Sequence, residues 1–388
     1  MRAVVAIVIL AAFAAAVATI TAFPREGRRD KLKILAIAIV VRLALVIVVV
    51  TFVSDSLLSD EISYVNGARR FAENGTLSPY GYANSLGWLF RLTGVNVWVA
   101  KGLTILASCA TALVTYEVVR RSIGATAALS AGIAVALWPS LALWSVLVLK
   151  DTWVVLAVIL FVAGMWGAAK RGWWGLAAVT IGCAILSGIR PWAYVLTAGA
   201  GLLATVAIWM KSGRATPLQL PYALVLVGMV GLLGGEGFLG STYAQQYTGI
   251  EIISETRAGG SVGDTAFTDA PESASEISEG IPEGVIYNLL GPFPWQPKDT
   301  TMQVLSLFEG LVWLAVLVLA ARGVRTITRA ALLRDWLGPL CFVGGTVAVL
   351  AIYESNAGTA FRVRAMIIPI VIALASVNAE PDTPVSHV

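Results

Sequence analysis

Leu32-Lys33-Ile34-Leu35-Ala36-Ile37-Ala38-Ile39-Val40-Val41-Arg42-Leu43-Ala44-Leu45-Val46-Ile47-Val48-Val49-Val50-Thr51-Phe52-Val53 is the stretch that decides the class of fold. A bilayer core accepts roughly 20 consecutive apolar residues in one helix, and this run supplies them with Arg42 as the single charge in its interior. Its apolar residues are continuous rather than alternating, which excludes the strand of a membrane barrel. Similar runs recur along the chain, at 2–23, 95–118, 125–147, 152–168, 173–189, 192–210, 221–239, 302–321, 337–353 and 363–377. Together they predict an all-α polytopic membrane protein with about eleven transmembrane helices. Composition agrees: 58% of the 388 residues are hydrophobic and 13% charged, and the mean hydropathy is +0.81. A soluble core cannot absorb that balance.

The net charge is +4, but the cations fall in short clusters between spans instead of one patch, so nucleic acid is not an expected partner. Arg25, Arg28, Arg29, Lys31 and Lys33, then Arg120 and Arg121, Lys170 and Arg171, Lys211 and Arg214, and Arg322, Arg325, Arg329 and Arg334 all map to one side. The positive-inside rule makes that side cytoplasmic in a multi-pass protein of the cell membrane. Asp60, Glu61, Lys150, Asp151, Arg190, the long loop after Leu239 and Arg362 then face outward. The run at 2–23 is read as an uncleaved span rather than a secretory signal. Cys109, Cys183 and Cys341 lie in apolar stretches and predict no disulfide, and a single histidine, His387, excludes a histidine triad or a His-rich metal site.

No separate soluble domain and no internal repeat is visible, so residues 1–388 form one integral membrane domain. Two outward segments exceed simple connections. In residues 55–94, Asp60, Tyr64, Gly67 and Phe71 recur at helical spacing, and Asn74-Gly75 marks a turn. Asn74-Gly75-Thr76 also fits a glycosylation acceptor, but the turn accounts for it. The outer loop at 241–300 divides in two: 241–283 is rich in Gly, Ser, Thr, Asp and Glu and reads as a lid-like loop. Residues 285–295, ending Gly291-Pro292-Phe293-Pro294-Trp295, read as a re-entrant or interfacial element with Trp295 at headgroup level.

Candidate chemistry rests on the few polar residues. Asp60 and Glu61, taken alone, read as a solvated helix start, since acids favour the positive end of a helix. What points beyond that is the company of other costly polar residues on the same side of the membrane. Arg42 and Glu309 interrupt spans, and intramembrane charges are functional or paired by default. Lys150-Asp151 can be a snorkelling lysine and a helix cap. Arg190, Arg362 and Arg364 run against the charge rule for the outer side and call for an anionic partner, which a lipid-linked phosphate supplies because guanidinium binds it bidentately.

Asp60-Glu61-Ile62-Ser63-Tyr64 is similar to the Asp-Glu-x-x-Tyr motif in the first large outer loop of the GT-C membrane glycosyltransferases. The protein O-mannosyltransferase and RgtA-like branch is the nearest in pattern. The likeness continues through Ala68 to Gly75, Tyr80 and Tyr82, Tyr116 to Arg121, and Pro139-Ser140 leading to Lys150-Asp151. It covers residues 32–165 as an N-terminal module. The span before the basic cluster departs from the pattern, placing the acidic loop behind the second span.

The resemblance implies inverting transfer of a sugar from a polyprenyl-phosphate donor to a glycan, lipid or protein acceptor at the outer face. Asp60 would be the general base, with Glu61 beside it as a second catalytic acid. Tyr64, Lys150, Asp151, Arg190, Trp295, Arg362 and Arg364 would bind substrate, the cations stabilising the departing lipid phosphate. Asp60, Glu61 and Asp151 are also the residues that could hold a divalent metal ion. A Wzy-type polysaccharide polymerase and a lipid-linked sugar transporter or flippase share the many spans and stay open as alternatives.

Overall fold

In a computed structural model of the chain, the described residues are 26–52, 59–169, 173–212, 274–291, 293, 300–329, 333–354 and 356–379. Among them there is no strand. The helices are α1 (Arg28–Phe52), α2 (Ser59–Asn74), α3 (Gly81–Thr93), α4 (Val97–Ser122), α5 (Ala125–Leu137), α6 (Pro139–Ser145), α7 (Lys150–Ala169), α8 (Trp173–Ile189), α9 (Pro191–Ser212), α10 (Ala274–Leu290), α11 (Thr300–Arg329), α12 (Leu333–Tyr353), α13 (Ala357–Arg364) and α14 (Ile368–Ser376). Among the described residues four stretches are long and apolar enough to cross a membrane, Arg28–Thr51, Val97–Ser122, Leu307–Arg329 and Trp336–Tyr353, and two bent pairs, each counted as one span, bring the number to six. The expected spans at 2–23 and 221–239 lie outside the described residues.

Helix α4 is the axis of the described bundle, packed by α1, α5 and α7. Near its start Lys101 binds Glu61 at 2.8 Å, and near its end Glu117 gathers Lys31 at 3.2 Å, Arg120 and Arg121. Those two ion pairs are sixteen residues apart, or about 24 Å along the helix. The acidic segment and the first basic cluster are thus tied to opposite ends of one apolar helix.

Two expected spans are broken instead of continuous. The run at 125–147 bends by 55° at Trp138, and the last run bends by 55° between Arg364 and Ile368. Trp138 is extended (φ −60°, ψ 122°) because the ring of Pro139 disfavours helical backbone at the preceding residue, while Pro139 itself suits the first turn of α6. Apolar composition does not change across the break, so a span count passes over it. The expected loop at 241–283 needs correction only at its end: residues 241–273 lie outside the described residues, and α10 begins at Ala274 and carries Pro282 in its interior. Of the element expected at 285–295, residues 285–290 are the last part of that same helix, and residues 292, 294 and 295 lie outside the described residues. There Asn288 is buried and donates to the carbonyls of Gly284 at 2.7 Å and Leu350 at 3.0 Å. Trp295 lies outside the described residues.

Helix ends buried in an apolar bundle must find polar partners within the protein. The intramembrane charges supply them. Arg42, fully buried on α1, donates to the carbonyl of Ala136 at the end of α5 (2.8 Å), to Ala38 (3.0 Å) and to Ser108 Oγ (2.6 Å). Glu309 on α11 accepts from the Ser140 backbone N–H at 2.7 Å and from Ser140 Oγ at 2.8 Å, capping the start of α6. Arg364 donates to the carbonyls of Leu289 (3.0 Å) and Gly291 (2.7 Å), closing α10, and stands 4.0 Å from Glu309. Its guanidinium lies over the rings of Trp313 and Phe361.

Removing one member of a buried ion pair leaves the other uncompensated, at a cost of roughly 3–5 kcal/mol. Glu309→Met and Arg364→Met are each expected to lower the midpoint of unfolding in a detergent titration, and the double variant to lose less than the sum. Strict additivity would show that the two charges are not coupled.

Candidate active site

Four separate elements bring polar side chains to one place. Asp60 enters at the start of α2, where its charge complements the helix dipole. Tyr64 follows one turn later on the same face. Lys150 and Asp151 open α7, and Arg190 occupies the turn between α8 and α9 just before Pro191. Arg362 lies on α13, whose start is fixed by Asn356: its Oδ1 accepts from the N–H of Gly358 at 2.8 Å and of Thr359 at 3.3 Å.

Arg362 clasps Asp60 through both terminal nitrogens. Arg190 Nη2 donates to Asp151 Oδ1 at 2.9 Å, and Arg362 Nε lies 4.0 Å from Asp151 Oδ2. That Nε is buried and has no hydrogen-bond partner among the described residues. Lys150 Nζ stands 6.0 Å from the centre of the Tyr64 ring. Indole walls flank the arginines, with Arg362 over Trp144 and Arg190 over Trp192, each at 5.7 Å. The row therefore gathers three cations and two carboxylates and carries a surplus of one positive charge.

The two acids differ in access. The Asp60 side chain is 45% exposed and that of Asp151 only 5%. Burial pushes the Asp151 carboxyl up, but Arg190, Arg362 and Lys150 outweigh it and hold the group below the ordinary carboxylate range. Lys150 moves the other way. Burial, then Arg190, bring its ammonium down to about 8, with Asp151 opposing them. Burial, then Asp151 and Asp60, raise the Tyr64 phenol to about 12, so it stays protonated as a hydrogen-bond donor. A cavity of about 10 Å³ beside Asp151, lined by Ser108, Thr111, Trp144 and Thr152, has room for a single water.

Of the residues expected from sequence, Asp60, Tyr64, Lys150, Asp151, Arg190 and Arg362 converge. Glu61 does not join them: one residue around the helix from Asp60, it is buried against Lys101 at 2.8 Å. Arg364 is likewise turned away from Arg362 and is spent on helix ends inside the bundle. The carboxylates expected to share a metal ion are each directed to a cation, and among the described residues no three His, Cys, Asp or Glu side chains come together as a metal site. Trp144 and Trp192 were missed as site residues. Their signal was adjacency: Trp192 is two residues from Arg190, and Trp144 lies in the segment leading to Lys150.

Residues 79–234 match the family model for dolichyl-phosphate-mannose-protein mannosyltransferases, somewhat under half of the chain. Over that segment the match agrees with the resemblance to the GT-C membrane glycosyltransferases. Within it fall Tyr80, Lys150, Asp151 and Arg190, while Asp60 and Arg362 lie beyond its two ends. No curated protein and no solved structure matches the chain.

Because the Lys150 pKa is depressed, the unfolded chain binds the extra proton between pH 8 and its ordinary value of 10.5, so stability is expected to rise with pH across that window. Reductively methylated with carbon-13 formaldehyde, Lys150 should titrate near pH 8, assigned by its loss in Lys150→Arg. Asp151→Asn should move the midpoint lower and Arg190→Met higher. A midpoint at the ordinary lysine value would contradict this electrostatic description.

Proposed function

We propose that this chain transfers a sugar from a polyprenyl-phosphate carrier to an acceptor hydroxyl at the outer face of the cell membrane, with inversion at the anomeric carbon. The observation that carries the proposal is the clasp of Asp60 by Arg362 within a row of charges that has one positive charge in excess. A sugar phosphodiester bears one negative charge and completes that row. The family match over residues 79–234 supports the same substrate class.

Arg190, Arg362 and Lys150 receive the phosphate, whose oxygens accept charge-assisted hydrogen bonds from a guanidinium fork. The free Nε–H of Arg362 is a donor ready for one of them. Once phosphate competes for Arg362, Asp60 is released. It is the accessible acid of the pair, and it takes the proton of the acceptor hydroxyl as that oxygen attacks the anomeric carbon. The bond from that carbon to the phosphate oxygen breaks, its electron pair leaves with the lipid phosphate, and the cations stabilise the growing charge. Attack from the face opposite the phosphate inverts the centre. Asp151, buried on Arg190, positions the guanidinium and takes no proton. The acceptor is a hydroxyl of a protein, a glycan or a lipid.

Purified protein supplied with radiolabelled polyprenyl-phosphate sugar and a membrane extract as acceptor should form labelled product. Asp60→Asn should lower the turnover about 10²–10⁴-fold without weakening donor binding, because it frees Arg362. Undiminished transfer by Asp60→Asn would point to an arginine-based polymerase. Movement of label between leaflets without a new bond would point to a flippase.

A further inference from the structure

Tyr80 is an exposed aromatic residue on a rigid mount. Its side chain belongs to a residue 51% exposed at the start of α3, where a loop tip would ordinarily carry small polar residues. The backbone around it is fixed by a closed set of hydrogen bonds. Ser78 N–H donates to Asn84 Oδ1 at 2.8 Å, Asn84 Nδ2 donates to the Ser78 carbonyl at 3.0 Å, and Tyr80 N–H donates to Ser78 Oγ at 3.2 Å. The Tyr80 carbonyl accepts from Ala83 and Asn84. The next residue, Gly81, approaches the Gly188 carbonyl so closely that a Cβ there would collide with it. Tyr80 is thereby anchored to the turn that presents Arg190.

The ring of Tyr80 meets that of Tyr64 edge to face, with centres 5.6 Å apart and planes at 86°. Behind Tyr64 stands Tyr82, buried, at 5.3 Å and 89°. Tyr64 also faces Lys150 and lies one turn from Asp60. The outcome is a right-angled aromatic corner between the base and a phosphate-binding cation. Apolar packing does not account for it, since half of Tyr80 remains in solvent and its backbone is held without help from the ring.

We infer that Tyr80 and Tyr64 form the seat for the donor's sugar ring, a hexose laying its C–H face on Tyr80 with the Tyr64 hydroxyl beside it. This rests on the reading of Lys150, Arg190 and Arg362 as the phosphate site. One bridging oxygen joins phosphorus to the anomeric carbon, so a phosphate on Lys150 brings the sugar against whatever flanks Lys150, and the Tyr64 ring does. Aromatic faces suit this task because they offer rigid apolar area with few rotamers to freeze, while the phenol of Tyr64 supplies a polar handle. Such a seat presents the anomeric carbon toward Asp60.

The test compares two probes in binding to purified full-length protein: polyprenyl phosphate without sugar, and the same lipid carrying mannose, glucose or galactose. Wild type should bind at least one hexosyl lipid more tightly than the bare lipid. Tyr80→Ala should weaken that hexosyl lipid about tenfold, the equivalent of one aromatic contact, and leave the bare lipid unchanged. Tyr80→Phe should keep both affinities and guards against a folding artefact. If Tyr80→Ala leaves every affinity at the wild-type value while Arg362→Gln or Lys150→Met weakens the bare lipid, the seat is overturned and the phosphate site stands. Equal binding of bare and hexosyl lipids by wild type overturns it too. If the bare lipid does not bind, or binds equally to all cation variants, the phosphate site itself fails and the seat falls with it.

Discussion

Everything in this fold follows from the requirement that a backbone polar group buried in an apolar bundle must be answered by the protein. Two helical runs are broken, and each break exposes carbonyls or N–H groups that lipid cannot satisfy. Arg42 and Glu309 answer the first, each reaching from a neighbouring helix to a helix end beside Trp138. The second closes on its own backbone, with the N–H groups of Ala365, Met366 and Ile367 donating to the carbonyls of Arg362, Val363 and Arg364; Arg364 itself closes the end of α10. Arg42 and Glu309 thus support the departure of α6 from the line of α5. In this arrangement α6 presents Trp144 and α13 presents Arg362 to the same place. The charges that look out of place in the sequence are the condition for assembling the site.

The site itself is a balance of opposed charges rather than a set of free groups. Asp151 and Arg190 are buried and neutralise one another, whereas Asp60 and Arg362 are partly exposed and can exchange partners. Under the proposed function, a mutually satisfied pair of this kind keeps Asp60 silent as a base until an anion competes for Arg362. Coupling of base release to phosphate binding would also keep the activated carboxylate away from water when no donor is present, limiting wasteful hydrolysis.

Much of this was legible in the sequence, because polar residues are costly among apolar ones and few in number. Asp60, Lys150, Asp151, Arg190 and Arg362 stood out for that reason, and the structure brings them together. What was not legible came from rotation about a helix. Glu61 adjoins Asp60 in the chain but lies about 100° around the helix, facing Lys101; Arg364 is about 200° from Arg362 and faces the core. Adjacency made each look like a partner of its neighbour. The break at Trp138 was hidden because the residues on both sides are apolar, although Pro139 carried a local signal. At the break after Arg364 the composition does change, from the two arginines of α13 to the apolar run of α14. Helix α10 was masked by the Gly and Ser content around it, with Ile281, Val285, Ile286 and Leu289 as the helical spacing that a composition reading passes over.

The central claim, that phosphate takes Arg362 from Asp60, is tested most directly by an experimental structure of the protein with a polyprenyl-phosphate sugar bound. The account predicts phosphate oxygens within hydrogen-bond distance of Arg362 and Arg190, with Asp60 released and directed at the anomeric side of the sugar. A donor bound elsewhere, with the clasp between Arg362 and Asp60 intact, would contradict it.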